Sequence, residues 1–357
     1  MAECNSMTMS SGNTYNDNCH QQTAVLKASL HLFDDIELGP NVTIADYGCS
    51  QGSNSVMMMQ HVLKRMPPSS TASLIFEDLP SNEFSSLIKL LPELCSSNPS
   101  LKIYPSLVPR SFYESVLTPN TVDIGFTSCT IHWLKRMPEI KPPTETVEEY
   151  YSKRYARNAP SAKEDFHEFL TYRGQEIKSG GYLIIGCLGG FTKEELAGSY
   201  KDATVIRHKA VFKAVEKLVE QGVLPQEAVA NINVPIHDRL VEDFLSGIEE
   251  LKDTWVMEKY ERKLVSHPAY YKYLSIVKDA DREGKIAAAK EYAGTNIDWI
   301  LAIMGDMLKS WWLQAGVKED KIDEYYEMAK ATAKDILWKE GPGGAEMPMM
   351  YTRLRRV

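Results

Sequence analysis

The stretch that most constrains this chain is Ile44-Ala-Asp-Tyr-Gly-Cys-Ser-Gln-Gly-Ser-Asn54. A short apolar, β-branched run, Val42–Asp46, ends on an acid and meets Gly48 and Gly52. The residues after it, among them Val56, Met59 and Leu63, recur at helical spacing from Asn54 to about Lys64. A strand, a glycine turn and a helix in that order let the backbone approach a bound ligand closely. By itself the turn fits any α/β protein equally well.

The rest of the first half continues the alternation. Met66-Pro-Pro-Ser-Ser breaks the helix, and Leu74–Phe76 reads as a second strand ending at Glu77-Asp78. A third strand is expected over Val122–Phe126 and a fourth over Tyr182–Cys187, introduced by Ser-Gly-Gly. Such alternation implies an α/β fold: a parallel, Rossmann-like sheet with helices on both faces. Residues 1–22 read as polar and loop-like, with a helix beginning near Gln22. From about Glu194 to Lys339 the pattern is helical: Val211, Val215, Leu218 and Val219 form one stripe, stopped by Gly222. Ile297, Leu301, Met304, Leu308 and Trp311 form another. The expected division is a nucleotide-binding domain over 1–190, a mainly helical cap over 191–339 and a return strand within 340–357.

Composition narrows the classes. A net charge of −8 argues against nucleic acid or an anionic membrane as partner. No apolar run approaches the roughly 20 residues that span a bilayer. The opening residues lack a basic-then-apolar leader pattern, and cysteines 4, 19, 49, 95, 129 and 187 form no C-x-x-C pair or zinc-type cluster. Free thiols in a reducing cytosol are the expectation.

The site residues favour a nucleoside without a pyrophosphate. The turn lacks the third glycine that dinucleotide binders place at their phosphates, and a sulfonium nucleoside has no phosphate to cradle. Asp46 then suits an ammonium, and Asp78, ending the next strand, suits ribose hydroxyls, although either also fits an ordinary strand-end acid. Ser111 beside Phe112 offers a hydroxyl and a stacking face for adenine, or plain core. Thr127-Ser-Cys-Thr-Ile-His-Trp133 closes the third strand at the end where open sheets bind ligands, making His132 and Trp133 candidate pocket walls; a His beside Trp is as readily structural. There is no G-x-S-x-G elbow, phosphate loop or H-E-x-x-H helix, and Cys129 with His132 lacks the third group a nucleophile–base pair needs.

These pieces together resemble the SABATH family of S-adenosylmethionine-dependent carboxyl and N-methyltransferases, in order along nearly the whole chain. The resemblance rests on Thr14-Tyr-Asn-Asp-Asn-Cys-His-Gln-Gln22, Ala45–Asn54, Glu77-Asp-Leu-Pro-Ser-Asn-Glu-Phe84, Ser111-Phe-Tyr113, Ser128-Cys-Thr-Ile-His-Trp-Leu134, Ser179-Gly-Gly-Tyr-Leu183 and Asn233-Val-Pro-Ile236. It implies S-adenosyl-L-methionine as cofactor, held by Tyr15, Asp46, Gly48, Cys49, Asn54, Asp78, Leu79, Ser111, Phe112 and Ser128. It also implies an acceptor site of Tyr15, Gln22, Cys129, His132, Trp133 and, from the cap, Trp311, in which Gln22 and Trp133 hold a carboxylate. Cap side chains would set specificity, with Met304, Met307, Leu308 and Trp311 as candidates, and the family is usually homodimeric. Three departures stand out. Cys19 and Cys129 replace the family's serine and aromatic, the N-K-G-x-I-Y segment after Trp133 is missing, and Ala230 replaces an Asp that belongs to a metal site in some relatives. No metal is therefore expected. The expected product is the methyl ester of a small organic acid of aromatic or related type; the alternatives are N-methylation of a heterocycle and a non-catalytic cofactor-binding homologue. An ionised carboxylate needs no general base, so no catalytic acid or base is assigned.

Overall fold

The computed structural model describes residues 14–136, 145–197, 203–230, 234–341, 343–344 and 346–357. Asn233 of the Asn-Val-Pro-Ile segment lies outside them, as does the side chain of Ala230. Along the chain run α1 (Thr14–Asn18), α2 (His20–Ser29), β1 (Asn41–Tyr47), α3 (Ser53–Leu63), β2 (Thr71–Asp78), α4 (Phe84–Ser96), β3 (Lys102–Pro109) and β4 (Val122–Ser128). There follow α5 (Val147–Glu176), β5 (Ile177–Phe191), α6 (Lys193–Ala197), α7 (Ala203–Glu220), α8 (Glu227–Ala230), β6 (Arg239–Leu240) and α9 (Val241–Glu249). The chain closes with β7 (Trp255–Ser266), α10 (Pro268–Asp279), α11 (Arg282–Gln314), α12 (Ile322–Glu340) and β8 (Glu346–Arg356).

The strands form one sheet in the order β3-β2-β1-β4-β5-β8-β7, with β6 beside β5. Pairing is parallel from β3 through β5, while β8 runs antiparallel to both β5 and β7. The expected α/β sheet with flanking helices is what the chain builds. Its order reverses between β1 and β4, and that reversal opens a crevice at the carboxyl ends of the strands. Register aligns Asp46 with Phe76 on one side and Phe126 on the other, so Asp46, Asp78 and Ser128 end adjacent strands beside that crevice.

Four sequence expectations are corrected. The helix expected near Gln22 begins earlier, as α1 and α2. Its polar residues Gln21 and Gln22 are buried, and Gln21 donates Nε2–H to the Val265 carbonyl at 2.7 Å, so their polarity reflects buried hydrogen bonding rather than a loop. β3 was not expected, because Pro105 and Pro109 obscure it; as the edge strand it tolerates residues without an N–H. β5 starts at Ile177, before the Ser-Gly-Gly, whose Gly180 takes a positive φ of 80°. The helical run expected from 194 to 339 is interrupted by β7, whose many charged residues suit the opposite sheet edge. No helix among the described residues is long and apolar enough to cross a membrane.

Candidate active site

The turn after β1 is built by backbone constraint. Gly48 (φ 90°) and Gly52 (φ 87°) lie in the left-handed region, and a Cβ on either would overlap Thr130 or Leu87. The Gly48 and Cys49 N–H groups both donate to the Glu77 carbonyl at 2.9 Å, tying the turn to the end of β2. Ser50 and Cys129 also adopt positive φ, 49° and 54°, and both line the crevice; such strain clusters where a fold presents ligand-binding groups. The Asp78 carboxylate accepts the Ser50 N–H at 2.6 Å and the Leu79 N–H at 2.8 Å, and Asn82 donates to the Ser50 carbonyl at 2.8 Å.

Around this turn lie two joined cavities. The larger, with about 880 Å³ of empty space, is lined by Gly48, Asp78, Leu79, Ser111, Phe112 and Ser128, among others. The smaller, about 410 Å³, is lined by Asp46, Cys49, Ser53 and Asn54 at the start of α3, and by Gln22. Tyr15, Gly48, Ser50 and Ser128 border both. All ten residues expected to hold the cofactor therefore come together. Burial pushes the carboxyl of Asp46 up to about 7 and that of Asp78 up to about 6, and it raises the Tyr15 hydroxyl well above its ordinary value. The hydroxyl oxygens of Ser50 and Ser128 are buried with no hydrogen-bond partner among the described residues. Two carboxylates and two orphaned hydroxyls around a cavity of this size suit a cationic, ribose-bearing nucleoside.

The segment carrying Ser111 and Phe112 is held by a network not anticipated from sequence. The fully buried Arg173 donates to the Phe112 and Glu114 carbonyls, each at 2.7 Å, and pairs with Glu176 at 3.0 Å. Glu176 accepts the Val116 N–H at 2.7 Å and the Tyr47 hydroxyl at 3.0 Å. The one sequence signal was Arg173-x-x-Glu176 on a single helix face.

A third cavity, about 560 Å³, meets the first two through Tyr15, Gln22, Cys129 and Trp133. Leu188, Ile236, Trp299, Ile300, Ile303 and Met347 make much of its wall apolar. Trp299 donates its indole N–H to Gln22 Oε1 at 3.0 Å. Because an indole N–H only donates, the amide oxygen of Gln22 is fixed on Trp299, and its NH2 end is the one left for a ligand. His132 packs its ring 5.2 Å from that of Trp133, and burial lowers its pKa to about 4, so it is neutral at physiological pH. Five of the six expected acceptor residues thus border this cavity. Trp311 does not. It is 7% exposed within the main hydrophobic core, with Met304, Met307 and Leu308, and it borders none of the three cavities. The cavity instead meets α11 about two to three turns earlier, at Trp299, Ile300 and Ile303; periodicity marks a buried face but not which end of a long helix meets a cavity.

The family model for SAM dependent carboxyl methyltransferases matches residues 5–339. The chain belongs to that family. Its relatives include Methyltransferase FUS9 of Gibberella fujikuroi, 29% identical over 84% of this chain and 82% of the relative. O-methyltransferase acrG of Aspergillus aculeatus is 32% identical over 73% of this chain and 69% of the relative. Indole-3-acetate O-methyltransferase 1 of Arabidopsis thaliana is 26% identical over 66% and 70%. The solved structure of loganic acid methyltransferase with SAH shares the fold, with a TM-score of 0.72 over 98% of both chains at 22% identity. The cofactor of this carboxyl methyltransferase is S-adenosylmethionine.

Proposed function

We propose that this carboxyl methyltransferase esterifies a small organic acid whose carboxylate is held between Gln22 and Trp133. The observation that carries the reading is the junction of the cavities: Tyr15, Cys129 and Trp133 border both the cavity of Asp78, Ser111 and Phe112 and the cavity of Gln22 and His132. An acid in the second cavity sits next to a nucleoside in the first.

S-adenosylmethionine supplies the methyl group on an electrophilic sulfonium. Asp46 binds the ammonium of its amino-acid part, Asp78 the ribose hydroxyls, and Ser111 with Phe112 the adenine. The Gln22 NH2 and the Trp133 indole N–H each donate to one carboxylate oxygen, orienting it toward the cofactor cavity. The acid is already ionised at neutral pH, so the side chains need only align it and exclude water. His132, neutral and packed on Trp133, shapes the wall. In this reading residues 1–190 form the cofactor-binding part, 191–339 a cap apart from β7, and 340–357 the return strand. The enzyme is a cytosolic homodimer.

Incubation with isotope-labelled S-adenosylmethionine and a panel of aromatic, indolic, fatty and jasmonate-like acids tests the reaction. The expected product is a methyl ester cleaved by mild alkali. A label found on nitrogen, or a product that resists hydrolysis, overturns the carboxylate assignment.

A further inference from the structure

The acceptor cavity is not apolar throughout. Besides Gln22 and Trp133 it is bordered by Arg154, His208 and Asp238, none of which borders the cofactor cavities. Ligand pockets carry few polar groups in otherwise apolar walls, and those few fix orientation and specificity.

Asp238 is delivered by a backbone clamp. The Leu134 N–H donates to the Pro235 carbonyl and the His237 N–H to the His132 carbonyl, each at 2.8 Å. Trp133 and Ile236 form an antiparallel bridge, and Asn158 on α5 donates to the Ile236 carbonyl at 3.0 Å. From α5, Arg154 donates Nη2–H to Asp238 Oδ2 at 2.6 Å; the two side chains are 10% and 12% exposed. The pair occupies only one carboxylate oxygen. Asp238 Oδ1 is buried with no partner among the described residues, and so is His132 Nδ1 on the adjoining segment. A buried ion pair is seldom the most stable filling of its space, and a buried acceptor without a donor is costly. Both features are explained if a ligand completes the pair.

We propose that Arg154 and Asp238 form a second polar subsite, which takes an uncharged hydroxyl, or an equivalent N–H donor, carried by the acceptor acid away from its methylated carboxyl. The proposal rests on the third cavity being the acceptor site and names the acid's class: a hydroxylated acid. Asp238 Oδ1 only accepts, so its ligand must donate. Arg154 already balances the charge of Asp238, so no cation is called for, and a second carboxylate there would face Asp238 directly. A hydroxyl donates its proton to Oδ1 and adds no charge.

The test uses matched acids, each unsubstituted or hydroxylated at the end away from the carboxyl, in phenylpropanoic, naphthoic and medium-chain fatty series. Methyl-ester formation gives kcat/KM, and calorimetry with S-adenosylhomocysteine-saturated protein gives acid affinity. In the best series the wild type should favour the hydroxylated acid by about tenfold or more. In Asp238→Ala that ratio should collapse toward one. Should that variant fail to fold, the double variant Arg154→Met/Asp238→Leu replaces both charges by apolar groups, and its ratio should fall below one. A wild-type ratio near one in every series, or a ratio retained in the folded variants, overturns the subsite. If no acid is esterified or bound while S-adenosylhomocysteine still binds, the acceptor reading itself fails and the subsite with it.

Discussion

The indole N–H of Trp299 lies 3.0 Å from Oε1 of Gln22, joining α11 to α2 at the edge of the crevice. This contact fixes which end of the Gln22 amide is left to face the third cavity, although Trp299 and Gln22 are 277 residues apart in sequence. Trp299→Phe keeps the ring and removes the donor, so the amide is free to flip. The expected loss is about three- to tenfold in kcat/KM for the true acid, from the net value of one buried hydrogen bond. Affinity for S-adenosylhomocysteine should stay unchanged by calorimetry. A parallel loss of cofactor affinity would instead mean that Trp299 only supports the fold.

Trp133→Phe removes a proposed donor to the acid itself. Turnover should fall roughly ten- to a hundredfold, since an unmet buried carboxylate oxygen costs about 1–3 kcal/mol. Gln22→Ala should act in the same direction. Steady-state kinetics at saturating S-adenosylmethionine measures both, and near-wild-type turnover in each would refute their carboxylate-holding role.

Cofactor binding should depend on pH. In the free site burial holds the Asp46 carboxyl up to about 7 and that of Asp78 up to about 6, so each binds a proton below those values. The proton must leave Asp46 before its carboxylate meets an ammonium. Affinity for S-adenosylhomocysteine should therefore weaken from about pH 8 to about pH 6, approaching tenfold per unit below the raised value. The ligand-free protein carries the opposite linkage. With folded values above unfolded ones, these two acids favour the folded state at low pH, and that contribution is lost as pH rises from about 4 to about 7. The thermal shift produced by the ligand should accordingly be larger at about pH 8 than at about pH 6. A pH-independent affinity would count against Asp46 as the ammonium partner.

Gly48→Ala should abolish cofactor binding or folding. Its Cβ would overlap Thr130, and its φ of 90° is one that side chains rarely adopt. Thermal melts with and without S-adenosylhomocysteine read both effects; a wild-type ligand shift would show that the turn tolerates widening.

Cys129→Tyr narrows the junction of the first and third cavities, which Cys129 borders on both sides. Preference should move toward compact aromatic acids. Relative kcat/KM across the acid panel reports it, and an unchanged rank order would remove Cys129 from the specificity wall.

Much was legible in the residues alone. The strand–turn–helix around Gly48 and Gly52, the acids Asp46 and Asp78, and the sheet class are local: alternation, glycine spacing and strand ends are written in consecutive residues, and parallel sheets bind ligands at one edge. Motif order therefore named, residue by residue, side chains that line the two joined cavities. What only the tertiary structure decided are relations between distant segments. The edge strands β3 and β7 carry prolines or charges that mask their pattern until a neighbouring strand pairs with them. The place where α11 meets the third cavity, at Trp299 and Ile303 and not Trp311, depends on how far a long helix extends past the crevice. Arg173 behind the Ser111–Phe112 segment, and Asp238 paired with Arg154 through one oxygen, look like ordinary surface charges in sequence. They become informative only once packing removes their water, because a buried charge must find a partner and a solvated one need not.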